Sequence, residues 1–134
     1  METLDHADVT VEQGVHGDFR GSLKPGRNRR QVTVLGAEGW YQALRELGTQ
    51  VPWEERRVNL LVEGLALDQS IGTRIVFDSG LMLEVTGECD PCTRMEEIAA
   101  GLKAALLPRW RGGVTAIVIE NGPVRVGDNV RIER

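Results

Sequence analysis

The only two cysteines of the chain lie in one four-residue run, Cys89-Asp90-Pro91-Cys92, which is the feature best suited to chemistry. A CxxC run can act as a dithiol redox pair, in which one thiolate attacks and the other resolves the mixed disulfide. It can also supply half of a zinc site, but a closed zinc site needs four ligands. The only histidines, His6 and His16, stand more than 70 residues upstream, which disfavours zinc. Two further interpretations stay open: Cys92 alone is the functional thiol, or both cysteines are inert core residues.

The hydrophobic pattern changes its period at this run. Residues 81–86 are typical of a strand that continues toward Cys89, and apolar residues then follow helical spacing from Met95 to Leu106. Asp90 is a good helix N-cap and Pro91 suits the first helical position. The sequence therefore predicts a strand, the cysteine run and one helix in succession, with Cys92 in the first helical turn.

That position favours reactivity at Cys92 over Cys89. Unpaired backbone N–H groups in the first turn of a helix stabilise a thiolate, and we expect Arg94 to add to the effect, whereas Glu96 and Glu97 oppose it. In a thioredoxin-like motif the first cysteine, not the second, is the nucleophile at the helix start. This order, with no βαβ pattern before the run, disfavours the redox pair.

Length and composition indicate one domain over residues 1–134, since 134 residues with 41% hydrophobic content are enough for a single core. Aromatic residues make up only 4% and the net charge is −4, so neither a stacking platform nor a basic surface for nucleic acid is expected. The sequence has no apolar run of 18 residues and no signal-peptide pattern. We therefore expect a cytoplasmic, reduced protein that is not inserted in a membrane.

The remaining pattern predicts a mostly β domain with inserted helices, a barrel or closed sandwich. One helix is predicted over residues 37–47, ended by Gly48, and turns are predicted at Asn121-Gly122 and Gly127-Asp128. Seven or eight short strands surround the helices. We expect the strands at 58–62 and 114–119 to be central because they are almost continuously apolar, and the last strand to be an edge.

Arginines occur in three local groups that could bind an anion through their planar forks, although most exposed charges do little. Arg57 is notable because Asn59 lies two positions further on, so both side chains point to one face of a strand. If that face meets the cysteine strand, the two residues shape a polar pocket.

Five short motifs in this order resemble the MOSC domain, the family named for the C-terminal domain of molybdenum cofactor sulfurases. Together they span residues 14–130, and each is weak alone. They are Gly-x-x-Gly-Asp (Gly14 to Asp18), Arg-x-Asn (Arg57, Asn59), Pro-Cys (Pro91, Cys92), Arg-Gly-Gly-Val (Arg111 to Val114) and Gly-x-x-x-x-Gly-Asp (Gly122 to Asp128).

The resemblance implies a barrel-like domain that binds the molybdenum cofactor (molybdopterin) or carries sulfur. By this resemblance Cys92 is the reactive thiol, which holds sulfur as a persulfide or ligates molybdenum. Arg57 and Asn59 match residues that contact the pterin or its phosphate in cofactor-binding members, and Gly17 and Asp18 belong to the family signature. Soft thiolate chemistry suits either task.

The resemblance also implies partners, since a sulfur carrier needs a cysteine desulfurase as donor and a molybdoenzyme as acceptor. The desulfurase itself depends on pyridoxal phosphate, but the only lysines here, Lys24 and Lys103, are not in a setting typical of a pyridoxal phosphate site. Alternatives are a non-catalytic molybdopterin-binding module, a component of a molybdenum-dependent reductase system, or an interaction scaffold.

Overall fold

The structure, a computed structural model, describes residues 6–10, 14–15, 32–56 and 58–133. Most of its regular structure is strand. The strands are β1 (His6–Thr10), β2 (Gly14–Val15), β3 (Val32–Gly36), β4 (Leu60–Val62), β5 (Arg74–Phe77), β6 (Met82–Glu88), β7 (Val114–Glu120), β8 (Gly122–Arg125) and β9 (Val130–Glu133). The helices are α1 (Ala37–Leu47), α2 (Thr93–Ile98) and α3 (Leu102–Leu106), and single 3-10 turns occupy Trp53–Arg56 and Pro108–Trp110.

Six strands form one curled sheet in the order β4-β3-β7-β6-β5-β9, and β2-β1-β8 form a second, smaller sheet. All pairs in the larger sheet are antiparallel except β3 with β4. The pairing of β6 with β7 shifts register between Met82 and Leu83 and again between Val85 and Gly87, and such irregularities bend a sheet. The result is a half-barrel with a few helices, which confirms the predicted mostly β, barrel-like class.

The concave interior of the half-barrel holds one apolar core. Strand alternation supplies it, because in β6 the buried positions Leu83 and Val85 alternate with less buried neighbours, and in β7 Val114, Ala116 and Val118 do the same. Residues from β3, β5 and the loop before β6 complete it, among them Val32, Val34, Ile75, Phe77 and Leu81.

A second core lies between the sheet and the helices. The predicted helix over 37–47 is confirmed as α1, which buries Trp40, Ala43 and Leu44 and ends at Gly48 in the left-handed conformation (φ +68°). Its apolar face packs with side chains from β3, α2 and α3, including Leu35, Met95, Leu102 and Leu106. No helix in the described segments has the length and apolarity needed to span a bilayer.

The prediction of one helix from Met95 to Leu106 is wrong, because the helix breaks between α2 and α3. Ala99 is extended (φ −151°, ψ 127°) and Gly101 is left-handed (φ +88°). The Gly101 N–H donates to the Glu96 carboxylate (2.8 Å), and a Cβ on Gly101 would stand 3.0 Å from the Leu47 side chain. The chain therefore turns where α1 passes close to it.

The sequence predicted a central or edge position for three strands of the sheet, and two of these predictions are correct. β7 lies inside the sheet and β9 lies at its end, as expected, but β4 lies at the other end of the described sheet rather than in its centre. β4 is apolar because both of its faces are covered: Val62 packs in the half-barrel core and Leu61 against the helical core.

Candidate functional site

The two cysteines are in opposite environments although only two residues separate them. Cys89 has 1% of its surface exposed, whereas Cys92 is exposed, and both are free thiols. Cys89 follows β6 directly, and its N–H still donates to the Gly113 carbonyl (2.8 Å), so it continues the strand ladder. Cys92 comes after the ladder has ended, which leaves its side chain at the surface.

The predicted helix start is wrong by two residues. Cys92 itself is the N-cap of α2, with an extended backbone (φ −102°, ψ 174°) and no side-chain capping bond, whereas Asp90 was expected to be the cap. No turn or bend interrupts the run from Cys89 to Cys92. A neighbouring side chain holds the carbonyls at the start of this run.

That side chain is Arg56, at the end of the 3-10 turn before β4. Its guanidinium Nη2 donates to the carbonyls of Cys89 (2.8 Å) and Gly112 (2.8 Å), lies 3.4 Å from the Asp90 carbonyl and 3.5 Å from the Cys89 sulfur. Arg56 is 6% exposed. A buried guanidinium that bonds two separate segments fixes their relative position, because releasing it would leave several carbonyls unsatisfied.

The two glycines of the Arg111-Gly112-Gly113 motif pack closely against Arg56 and the neighbouring strands. A Cβ on Gly112 would stand 2.7 Å from the Cys89 carbonyl oxygen and 3.2 Å from Arg56 Nη2, and a Cβ on Gly113 would collide with the Val34 carbonyl oxygen. Gly113 also has a positive φ of +100°. Both positions therefore need glycine, so that the start of β7 can approach β3 and the cysteine run closely.

Asn59 joins β4 to β3 through reciprocal hydrogen bonds with Thr33. Its Oδ1 accepts from the Thr33 N–H (2.9 Å) and hydroxyl (3.1 Å), and its own N–H donates to the Thr33 hydroxyl oxygen (3.0 Å). The residue that the sequence assigned to a cofactor pocket thus makes a structural contact between two strands.

Two other arginines are paired with carboxylates. Arg94, in α2, donates to Glu55 (3.0 Å), which lies in the same 3-10 turn as Arg56. Arg111 makes a bidentate contact with Glu46 of α1 (2.8 and 3.0 Å), and this contact lowers the pKa of the Glu46 carboxyl. The first ion pair links α2 to the 3-10 turn that contains Glu55, and the second links the segment before β7 to α1.

Two acidic residues, Glu88 and Asp90, lie close together at the start of the cysteine run. Burial, followed by the nearby Asp90 carboxylate, raises the pKa of Glu88, the last residue of β6. This interaction with Glu88 is consistent with the finding that Asp90 does not cap α2.

Three predicted site residues, Gly17, Asp18 and Arg57, lie outside the described residues. Of the others, the structure places Cys92 and Arg94 together at the start of α2, while Asn59 lies in the link between β3 and β4. Sequence reasoning missed Arg56. No pattern signal marks it, because Arg56 lies in the 3-10 turn Trp53–Arg56 and its partners are backbone carbonyls.

The zinc and redox interpretations of the run gain no support. The described residues contain no group of three or more His, Cys, Asp or Glu side chains that could hold a metal ion. Three residues of extended chain span about 10 Å, whereas cysteines whose Cα atoms are more than about 7 Å apart cannot form a disulfide without backbone movement. The structure thus favours Cys92 as a single accessible thiol.

A cleft of about 340 Å³ opens at the ends of β3 and β4, beside the start of α1. Its polar lining includes Glu38, Arg45, Asp68, Arg109 and Arg111. Glu38 accepts from the Gly64 N–H (3.0 Å), and Arg109 stands 3.7 Å from Asp68. Arg45 donates to Gln42 and Arg111 to Glu46, so several charged groups of the cleft already have hydrogen-bond partners.

Comparison with known proteins finds a relative and several similar structures. A YuaD protein of Bacillus subtilis, named for metal-sulfur cluster biosynthesis, is 29% identical over 117 residues, which cover 78% of this chain and 61% of the relative. The chain thus spans about three fifths of that relative's length.

Among solved structures, the YuaD protein of Bacillus subtilis superimposes with a TM-score of 0.81 at 24% identity, covering 98% of this chain and 86% of that one. YiiM of Escherichia coli gives a TM-score of 0.71 at 16% identity, covering 100% of this chain and 65% of that one. YiiM of Geobacillus stearothermophilus gives a TM-score of 0.68 at 16% identity, covering 81% of this chain and 57% of that one. These likenesses show a shared fold.

The family comparison agrees with the fold. The MOSC domain model matches residues 21–131, which is well over half of the sequence. The protein therefore belongs to the MOSC domain family.

Proposed function

We propose that this MOSC domain carries sulfur on Cys92 for the assembly of a metal-sulfur centre. The observation that carries the proposal is the contrast within the run: Cys92 is exposed at the N-cap of α2, while Cys89 is buried and held by Arg56. A sulfur carrier needs one thiol that a partner protein can reach. The name of the YuaD relative, which refers to metal-sulfur cluster biosynthesis, supports the same class of role.

The transfer is a redox-neutral exchange of one sulfur atom. The Cys92 thiolate attacks the terminal sulfur of a persulfide on a cysteine desulfurase, a bond forms between Cys92 Sγ and that sulfur, and the donor cysteine leaves as a thiolate. An acceptor then removes the sulfur from Cys92 in the same manner. A molybdoenzyme or its cofactor is the acceptor class that the family suggests.

The described residues fit the molybdenum cofactor only in part. The Cys92 thiolate is a soft donor that suits a molybdenum centre with ligands of its own. The arginines nearest to it do not suit the phosphate of the pterin, because Arg56 is enclosed and Arg94 is paired with Glu55. The Nε atoms of both arginines are also enclosed, with no hydrogen-bond partner in the described part of the chain. No step is therefore assigned to the cofactor, and sulfur carriage is the better-supported role.

The direct test is to load the protein with a cysteine desulfurase and free cysteine and to map the added sulfur by mass spectrometry. We expect a gain of about 32 Da, one sulfur atom, on the peptide that carries Cys92. The Cys92→Ser variant should lose the gain, and the matched Cys89→Ser variant should keep it. A gain on Cys89, or no gain on either cysteine of the wild-type protein, contradicts the proposal.

Metal analysis distinguishes the cofactor-binding alternative. If protein purified from its native host contains stoichiometric molybdenum that is lost in Cys92→Ser, while the desulfurase adds no sulfur, the domain binds the cofactor and does not carry sulfur.

A further inference from the structure

Three atoms of Cys89 are held in place. Its N–H donates to the Gly113 carbonyl (2.8 Å), its carbonyl accepts from Arg56 Nη2 (2.8 Å), and its sulfur lies 3.5 Å from the same nitrogen. Arg56 also bonds the Gly112 carbonyl (2.8 Å), so the arginine holds the cysteine against the start of β7. Cys89 is therefore anchored through both its backbone and its side chain.

The contacts of Arg56 continue to Asp90, in a run that has no turn or bend. Arg56 Nη2 lies 3.4 Å from the Asp90 carbonyl, and Cys92 is itself extended (φ −102°, ψ 174°). An extended run of this length separates the two cysteine Cα atoms by about 10 Å, beyond the roughly 7 Å that a disulfide tolerates. To bring the sulfurs together, the run would have to fold into a turn and leave Arg56.

This separation matters if Cys92 carries a persulfide. A second thiolate within reach would attack Cys92 Sγ, forming the Cys89–Cys92 disulfide and breaking the bond from Cys92 Sγ to the terminal sulfur. The terminal sulfur would leave as hydrosulfide, so it is reduced while the Cys89 sulfur is oxidised, and no other reductant is needed. The carried sulfur would then be lost to solvent instead of reaching an acceptor.

We infer that Arg56 is a positioning residue that protects sulfur carried on Cys92 by holding Cys89 out of reach. The inference rests on the proposed sulfur carriage for its purpose, but its geometry is independent of that function. It also assigns a role to the CxxC spacing: the two thiols are close in sequence and are kept apart in space.

The first test compares sulfide release from persulfide-loaded protein in wild type, Arg56→Ala and Arg56→Lys. We expect Arg56→Ala to release sulfide about tenfold faster or more, the factor that one lost charge-assisted hydrogen bond corresponds to. Arg56→Lys, which keeps a cationic donor, should fall between the two. Adding Cys89→Ser to Arg56→Ala should abolish the extra release, which a general loss of structure would not do.

The second test does not depend on sulfur loading. Unloaded protein is treated with a thiol oxidant, diamide, and the intramolecular Cys89–Cys92 disulfide is quantified by mass spectrometry. We expect little in wild type and in the matched control Arg94→Ala, and rapid formation in Arg56→Ala. If Arg56→Ala does not fold, Arg56→Lys decides, because it keeps the positive charge and loses the planar fork that bonds the two segments.

The outcomes separate the two proposals. If wild type forms the disulfide as fast as Arg56→Ala, or as Arg56→Lys when that variant is used, the inference is wrong whether or not Cys92 carries sulfur. If Cys92 accepts no sulfur but the oxidation rates differ as expected, the proposed function fails and the positioning role of Arg56 stands.

Discussion

Arg56 and Arg94 flank the cysteine run and make contacts of opposite kinds. Arg56 is 6% exposed and bonds carbonyls of two separate segments, whereas the Arg94 side chain is 36% exposed and pairs with the half-exposed Glu55. Exposed ion pairs contribute little to stability, while a buried donor is costly to remove. The geometry of this site therefore depends on Arg56. Both arginines lie near Cys92, but only Arg94 was predicted from the sequence as a site residue.

The largest effect should come from Arg56→Met. The substitution leaves the carbonyls of Cys89 and Gly112 without their donor in a buried place, at a cost of about 1–3 kcal/mol each. We expect the free energy of unfolding, measured by urea titration, to fall by roughly 3 kcal/mol or more. A loss below about 1 kcal/mol would mean that the guanidinium does not hold the run.

Gly112→Ala tests the same contact from the opposite side. The added Cβ would stand 2.7 Å from the Cys89 carbonyl oxygen, so β7 and the run must move apart. We expect a loss of about 1–3 kcal/mol in urea unfolding, together with faster alkylation of Cys89. The control is Gly64→Ala, where no atom lies within 4 Å of the new Cβ and only the positive φ of +78° is unfavourable. Equal alkylation of Cys89 in the two variants would contradict the account.

Arg94→Ala should have a much smaller effect. Its pair with Glu55 is largely exposed, and we expect it to contribute less than about 1 kcal/mol, a difference that shrinks further in high salt. Urea titrations at low and high ionic strength measure it. A loss as large as that of Arg56→Met would remove the distinction between the two arginines.

The smallest expected effect is a change in how the free energy of unfolding depends on pH when Glu88 is replaced. Burial and the Asp90 carboxylate raise its pKa above the ordinary value of 4.5, so its protonated form is favoured in the folded state. This contribution to stability is complete below pH 4.5 and is lost as the pH rises through the raised pKa. Glu88→Gln should therefore gain stability relative to wild type at neutral pH and lose that advantage in acid. A difference that does not vary with pH, in unfolding titrations across that range, would count against the pairing.

Much of the fold follows from local sequence pattern. The spacing of Trp40, Ala43 and Leu44 with a terminal Gly48 defines α1 correctly, and short apolar runs place β5 and β7. The break between α2 and α3 was not predictable in this way, because the helical spacing of the apolar residues continues through it. At the break a Cβ on Gly101 would stand 3.0 Å from the Leu47 side chain, a proximity that only the packed structure shows.

The candidate site was predictable to a similar degree. The exposed Cys92 and buried Cys89 follow from the point where the strand ladder ends, and the sequence indicated that contrast. Arg56 could not be separated from its neighbour Arg57 by residue type, and its partners are backbone carbonyls, which any sequence supplies. Contacts to backbone leave no signature in residue identity, so this part of the site became visible only in three dimensions.

Competitive alkylation of the native wild-type protein tests the central claim most directly. The folded protein is treated with a limiting amount of an isotopically labelled thiol reagent, unfolded, treated with excess unlabelled reagent, and digested for mass spectrometry. We expect the label to be confined to the Cys92 peptide, while Cys89 reacts only after unfolding. Label on Cys89 at a rate equal to or above that of Cys92 would show that the two thiols are not held apart as described.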